Sequence, residues 1–353
     1  MHLDRENWPK PGSPRLIRVF RNQMLPEGIE GLMMKNTMKK MKILIGYDGS
    51  SFADSAILDL KRAGLPAAAD VLVLSAADVF LPAGRETRTP EALKASIERS
   101  REAARNQLDR AIMIAEQASR KIKSMFSGWS VKSQSCADSP AWALLKKAET
   151  WRADLIMVGA HGHSALGRFL GSVSQLVLTH ASCSVRVGRT SPHPKNKKLR
   201  ILIGIDGSPY SAATVQAILS RSWPANTNFL LVSVIDPKKL MLLGRRAPVN
   251  ILWLFQHADD EYEVTRRMLE SFAKALRKKY EHVSCRVLDG DPKHVLVKEA
   301  EAWQADCLFI GARGLTHLKR LLMGGVSTAV AARAHCSVEV VRLQTRNSRS
   351  RKK

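Results

Sequence analysis

Two glycine-rich stretches hold the residues most suited to chemistry: GAHGHSALGRFLGS, from Gly159 to Ser172, and GARGLTHLKRLLMGG, from Gly311 to Gly325. In the first, His161 and His163 stand two apart, a spacing that suits metal ligands on one face of a strand. A catalytic zinc wants three protein ligands, and no Asp, Glu or Cys accompanies this pair. In the second stretch Arg313 occupies the place of His161 and Leu315 that of His163. A basic side chain beside an anion therefore fits both copies better than a metal, and a solvent-facing loop residue fits them too. No resident metal is expected. The backbone itself is the second source of chemistry. Glycine admits positive φ and close approach to the amides, and a helix that starts there adds unpaired N–H groups and partial positive charge. Upstream, Asp48 and Asp206 each open an Asp-Gly-Ser turn. Such a carboxylate can accept from a sugar hydroxyl or base amine, or bind the amides of its own turn, and the two roles are compatible.

The elements that must position these residues occur twice. MKILIGYDGSSFADSA (Met41 to Ala56) matches LRILIGIDGSPYSAAT (Leu199 to Thr214), and SPAWALLKKAETWRADLIMVGAHG matches DPKHVLVKEAEAWQADCLFIGARG. Trp151 aligns with Trp303 and Asp154 with Asp306, and HASCSVRV is repeated as AHCSVEV. One unit of about 150 residues is present twice. The division expected is a basic, disordered leader over 1–40, a first unit over 41–190, a linker over 191–198, a second unit over 199–343 and a basic tail over 344–353. Met38 and Met41 stand before the first strand, so translation starting there would make the leader optional.

Within each unit short β-branched runs alternate with helical patterns, which predicts a parallel sheet flanked by helices, an α/β doubly wound (Rossmann-like) arrangement. A long helix follows the second strand, with Leu93, Ile97, Ala104, Leu108, Ala111, Ala115 and Ile122 at helical spacing. Ser139-Pro140 and Asp291-Pro292 each place a capping oxygen before a proline at the first helical position. The stretch from Asp236 to about Leu254 has no period and reads as a loop. The two tryptophans at matching helix ends read as packing residues. If strands one and four flank the point where strand order reverses, the Asp-Gly-Ser turn and the glycine loop share one crevice.

The chain has 353 residues, 45% hydrophobic and 25% charged, with a net charge of +24. Its five cysteines are scattered, which argues against a disulfide framework and for a reducing cytoplasm. No apolar run reaches the roughly 18 residues that span a bilayer, so no membrane role is expected. The basic runs RTSPHPKNKKLR and RNSRSRKK favour polyanions through counterion release, or serve only as solvated segments. No nucleophile–base–acid arrangement repeats and no phosphate-binding lysine loop is present, so an enzyme is not expected, although slow ATP hydrolysis stays open.

These motifs resemble the universal stress protein family in its tandem form, over roughly residues 41 to 343. The resemblance implies two five-stranded parallel domains, pairing of the last strands into an internal pseudo-dimer, and ATP held without a metal of the protein's own. It also allows a homodimer. The family's fingerprint, a strand ending near an Asp and later G-x2-G-x9-G-[ST], assigns Asp206, Val234, Gly311, Gly314 and Gly324 in the second unit. In the first it assigns Asp48, Ala76, Gly159, Gly162, Gly171 and Ser172. Arg313 and His161 join the two sets as basic neighbours of the loop, and Gly325 stands where the second unit's hydroxyl is expected. Eight residues separate Gly162 from Gly171 where the pattern has nine; the second unit keeps nine but lacks that hydroxyl, with Ser327 two further on. On this comparison the second site is slightly the safer. The expected role is a cytoplasmic stress sensor or regulator that binds an adenine nucleotide. The alternative is a scaffold that binds nucleic acid or another polyanion.

Overall fold

The computed structural model describes residues 40–77, 90–161, 170–190, 198–236, 258–314 and 323–343. The expectations for residues 1–39, 237–254, 191–197 and 344–353 lie outside these, as do Gly162 and His163. In the first unit β1 (Met41–Gly46), α1 (Ser51–Asp59), β2 (Ala69–Ala77), α2 (Pro90–Met125), β3 (Ser130–Ala137), α3 (Pro140–Trp151), β4 (Leu155–Gly159), α4 (Ser172–His180) and β5 (Ser184–Gly188) follow one another. The second unit repeats them as β6 (Arg200–Gly204), α5 (Pro209–Leu219), β7 (Asn228–Ile235), α6 (Ala258–Arg277), β8 (Val283–Asp289), α7 (Pro292–Ala302), β9 (Cys307–Gly311), α8 (Gly325–Arg333) and β10 (Ser337–Val341).

The central strands are apolar on both faces, as parallel strands covered by helices must be. Ile43, Leu44 and Ile45 of β1 and Ile201, Leu202 and Ile203 of β6 are almost wholly buried. Helix starts follow local chemistry. Ser50 Oγ accepts from Ala53 N at 3.2 Å to cap α1, and Asp291 Oδ1 accepts from Lys293 N at 2.9 Å to cap α7. Ser139 does not cap α3 with its side chain; instead its own N–H donates to Asp138 Oδ1 at 2.7 Å. The proline at the first position sets the helical φ there without the cap.

The sheet order is β3-β2-β1-β4-β5-β10-β9-β6-β7-β8, parallel within each unit, with β5 and β10 antiparallel at the centre. The last strands therefore join the two units into one ten-stranded sheet. One apolar layer, including Leu44, Val185, Leu202 and Val338, runs through both units on one side of it. Two separate layers, around Ile43 and Ile201, fill the other side.

The seam is reciprocal. Arg189 N donates to Ser337 Oγ at 3.0 Å, and Arg342 N to Ser184 Oγ at 3.2 Å. The Arg189 guanidinium donates to Ala331 O at 2.6 Å and Cys336 O at 3.3 Å, at the end of α8. Arg342 does the same for α4, at Leu178 O (2.7 Å) and Thr179 O (3.1 Å). Each unit thus supplies a cation to the carbonyl end of the other's last helix, where the dipole favours it. Further along, Ser222 N donates to Gly64 O at 2.9 Å, and Arg62 pairs with Asp306. Gly64 has φ +61° and lies under the Trp223 ring, 2.5 Å from where a Cβ would stand, so no other residue fits there.

Candidate functional site

Strand order reverses between β1 and β4 and between β6 and β9. At the first of these points a cavity of about 260 Å³ opens. Asp48, Ala76, Gly159, His161, Gly171 and Ser172 all line it, with Tyr47, Pro140, Leu144 and Ser174. The structure thus gathers the described residues of the first unit's set around one space. Apolar residues such as Leu74, Leu144 and Val158 line it together with the polar ones, the usual make-up of a small-molecule cleft.

The rim is built from turns. Asp48 Oδ1 accepts from Ser50 N at 3.0 Å, which folds the Asp-Gly-Ser turn back onto itself. Gly49 carries the positive φ, +78°, that this turn requires. The loop glycines Gly159 and Gly171 do not have positive φ. Gly159 is glycine for a packing reason: a Cβ there would meet the Phe52 carbonyl and Ala53 N at 3.0–3.1 Å, so α1 could not lean so closely on the end of β4. Gly171 sits extended at the N-cap of α4 (φ −63°, ψ 156°) with no side-chain cap. Ser172, Val173 and Ser174, the first residues of α4, thus line the cavity at a helix start that has no side-chain cap. Ser174 Oγ donates to Gly159 O at 2.6 Å and Gly171 N to Ala160 O at 2.8 Å, which clamps the helix start to the strand end.

Titratable groups around the cavity are held in defined states. Burial, and then the charge of Arg189, keep His161 below the ordinary imidazole value, so it is neutral at pH 7; its ring stands edge-on to Phe52, 5.0 Å away. Burial and the neighbouring Asp54 push the Tyr47 phenol far up, so it remains a donor, to Asp54 Oδ1 at 2.8 Å. Lys121 of α2 donates to the same oxygen at 2.6 Å. The sequence reading missed this Tyr47–Asp54–Lys121 tie. The signal lay in the repeat: Ile205 and Ala212 stand in the second unit where Tyr47 and Asp54 stand in the first.

In the second unit the two halves of the set also face each other. Asp206 Oδ1 accepts from Ser208 N at 3.0 Å and Ser211 Oγ at 2.7 Å. Its Oδ2 lies 2.5 Å from where a Gly314 Cβ would stand, and Ser208 Oγ donates to Arg313 O at 3.4 Å. Gly311 is covered by Tyr210 as Gly159 is by Phe52, and Gly324 is the extended N-cap of α8. Val234, next to last in β7, is partly buried opposite Leu288. Ser327 is not a stand-in for the hydroxyl missing at Gly325: it is buried and donates to Ala312 O at 3.0 Å, the counterpart of Ser174. The Lys293 side chain passes 3.8 Å from the Cβ position of Gly325.

A sequence model of the universal stress protein family matches residues 40–189 and again 199–342. The chain belongs to the universal stress protein family. A universal stress protein of Mycolicibacterium smegmatis is 28% identical over 308 residues, 85% of this chain and 96% of that one. The universal stress protein YxiE of Bacillus subtilis is 24% identical over 148 residues, 40% of this chain and 98% of its own length. A solved universal stress protein from Archaeoglobus fulgidus has 17% identity, covers 85% of this chain and 98% of its own, and superposes with a TM-score of 0.55, a likeness of fold.

Among the described residues no group of three or more His, Cys, Asp or Glu is placed to hold a metal ion, and no helix is long and apolar enough to cross a membrane. The five cysteines are unpaired; Cys183, Cys307 and Cys336 are buried, and burial pushes the Cys183 and Cys336 thiols up to about 12. Trp151 and Trp303 pack in matching ways, under Lys42 at 5.3 Å and Arg200 at 5.9 Å.

Proposed function

We propose that the first unit binds an adenine nucleotide, ATP foremost, and that the protein uses this occupancy as a stress-response sensor or regulator in the cytoplasm. The observation that carries the reading is the single cavity that gathers Asp48, Ala76, Gly159, His161, Gly171 and Ser172. Its volume, about 260 Å³, lies just under the roughly 300–1,000 Å³ of ligand clefts. That suits a nucleoside inside and phosphates at the mouth. Asp48 then meets the ribose, Ala76 borders the base, and the uncapped amides of α4 with the Ser172 hydroxyl meet the phosphates. The second unit offers the same frame through Asp206, Val234, Gly311, Arg313, Gly314, Gly324 and Gly325, with Lys293 beside the helix start where the first unit has a hydroxyl. The role is binding and not turnover: Asp48 is engaged in its own turn, and no group is assigned as the base of a hydrolysis.

Gly171→Asp tests the phosphate end without dismantling it. The backbone there suits any residue, aspartate is a favoured N-cap, and its charge would occupy and repel the phosphate position. We expect mass spectrometry to find an adenine nucleotide released from the wild-type protein on denaturation, and calorimetry to show ATP binding lost in Gly171→Asp with stability kept or raised. Equal affinity in the variant would remove the phosphate assignment. The net charge of +24 supports a second reading, a polyanion-binding scaffold. Nucleic-acid affinity that falls steeply with salt, in protein that binds no ATP, would select it.

A further inference from the structure

The reciprocal contacts at the seam leave one position where the two units differ in charge. In the antiparallel pairing of β5 and β10, Glu339 stands opposite Arg186, between the matched pairs Val338–Val187 and Val340–Val185. Both side chains are 0% exposed. A residue at this place in a pair of identical units would face its own copy. Here Arg186 donates from Nε to Asp59 Oδ2 at 2.6 Å and from Nη2 to Asp59 Oδ1 at 3.1 Å, both within the first unit. Its Nη1 crosses the seam to Glu339 Oε2 and to Cys307 Sγ, each at 3.2 Å. Glu339 is held in turn by Arg221 of its own unit, through Nη1 at 2.9 Å and through Nη2, and Arg221 Nη1 reaches back over the seam to Ala63 O at 2.8 Å.

Each unit is neutral by itself, Asp59 with Arg186 and Glu339 with Arg221, so the preference for unlike units lies in which charges face each other across the seam. By repeat position Asp59 corresponds to Ala217 and Arg221 to Ala63, so neither unit carries the other's counter-ion. Two first units would press two buried guanidinium groups together, and two second units two buried carboxylates. Each charge would keep the partner in its own unit, but like charges brought together at a buried contact are strongly disfavoured. We propose that Asp59, Arg186, Glu339 and Arg221 form a pairing code, through which each unit's last strand accepts the complementary unit and rejects a second copy of itself. The chain then closes on itself, and its last strands take no part in self-association of like units.

The full-length chain provides the test. Arg186→Glu leaves Arg221 among three carboxylates, and Glu339→Arg leaves Asp59 among three cations. Each variant alone should open at the seam, read as a larger hydrodynamic radius at a chain mass of 39.1 kDa. The two together can rebuild one native junction, Asp59 and Arg186 from the Glu339→Arg chain with Glu339 and Arg221 from the Arg186→Glu chain. Co-expression with different tags should therefore give a heterodimer of about twice the chain mass, recovered through either tag, and should rescue either variant that is insoluble alone. Variants that remain compact and monomeric by themselves would overturn the proposal. So would homodimers as abundant as the mixed species, or a co-expression that yields neither heterodimer nor soluble protein.

Discussion

His161 is the residue whose state most directly reports what occupies the cavity. Its pKa is depressed by burial and by Arg189, so the unfolded chain takes up the proton first. The sign follows from linkage: stability from this group is present above the unfolded value, about 6.5, and is lost as pH falls from there through the lower folded value. NMR titration should place the His161 midpoint below that of an exposed histidine. A bound triphosphate adds negative charge and should raise the midpoint. Calorimetry near pH 6 in two buffers of different ionisation enthalpy should then show net proton uptake on ATP binding, and no uptake would place the phosphates away from His161. Asp54 behaves in the usual carboxylate sense. Burial, its largest single influence, pushes it up, but the hydrogen bonds from Lys121 and Tyr47 outweigh this and hold it below the ordinary value. Its contribution is present above the unfolded carboxylate pKa of about 3.9 and is lost as pH falls through the lower folded value. Asp54→Asn should thus be less stable than wild type at pH 7 in urea denaturation. The gap should close below about pH 4; a gap independent of pH would mean that the tie is not ionic.

At the level of elements, the site is a matter of how helix starts are fastened to strand ends. Ser174 and Ser327 each bind the carbonyl of a strand end, at Gly159 and Ala312. Replacing Ser174 by alanine takes the hydroxyl partner from a buried carbonyl, which costs about 1–3 kcal/mol, and Ser327→Ala costs less, because Ala312 O still accepts from Gly324 N at 2.8 Å. Urea denaturation of Ser174→Ala and Ser327→Ala without nucleotide should show that loss; unchanged stability would free these hydroxyls for a ligand role. This layer was only partly legible in the sequence. The fingerprint pointed to the residue after the glycine, Ser172, and so drew the eye from the serine two further on. The strands and helices themselves were legible, because short β-branched runs and apolar residues at helical spacing leave little choice. Ser139 looked as good a cap as Asp291, but its turn closes through Asp138 instead, a choice made by local backbone geometry that residue type does not reveal.

For the whole molecule the decisive structure is the seam. The sequence displays the duplication plainly, and Arg186 and Glu339 are the charged members of otherwise apolar runs, Ser-Val-Arg-Val and Ser-Val-Glu-Val. Their meeting was not legible, because register across two strands of one sheet depends on packing far from either in the chain. The same holds for Arg189 and Arg342, which repeat in sequence but act on each other's unit. Each donates charged hydrogen bonds to helix carbonyls, an interaction of about 1.5–3 kcal/mol. Arg189→Ala should therefore loosen α8 in the second unit, and Arg342→Ala α4 in the first. Hydrogen exchange followed peptide by peptide would show this, and exchange that rises only in the mutated unit would contradict the crossed arrangement.

Trp223 gives this joint an optical gauge. Its ring rests on Gly64 of the other half, while its own half supplies Phe229 and Phe309 edge-on at 6.1 and 5.9 Å. Parting of the halves would wet one side of the indole and leave the other dry. Its emission would shift to the red while the helical circular dichroism held steady, and opening could be timed separately from melting.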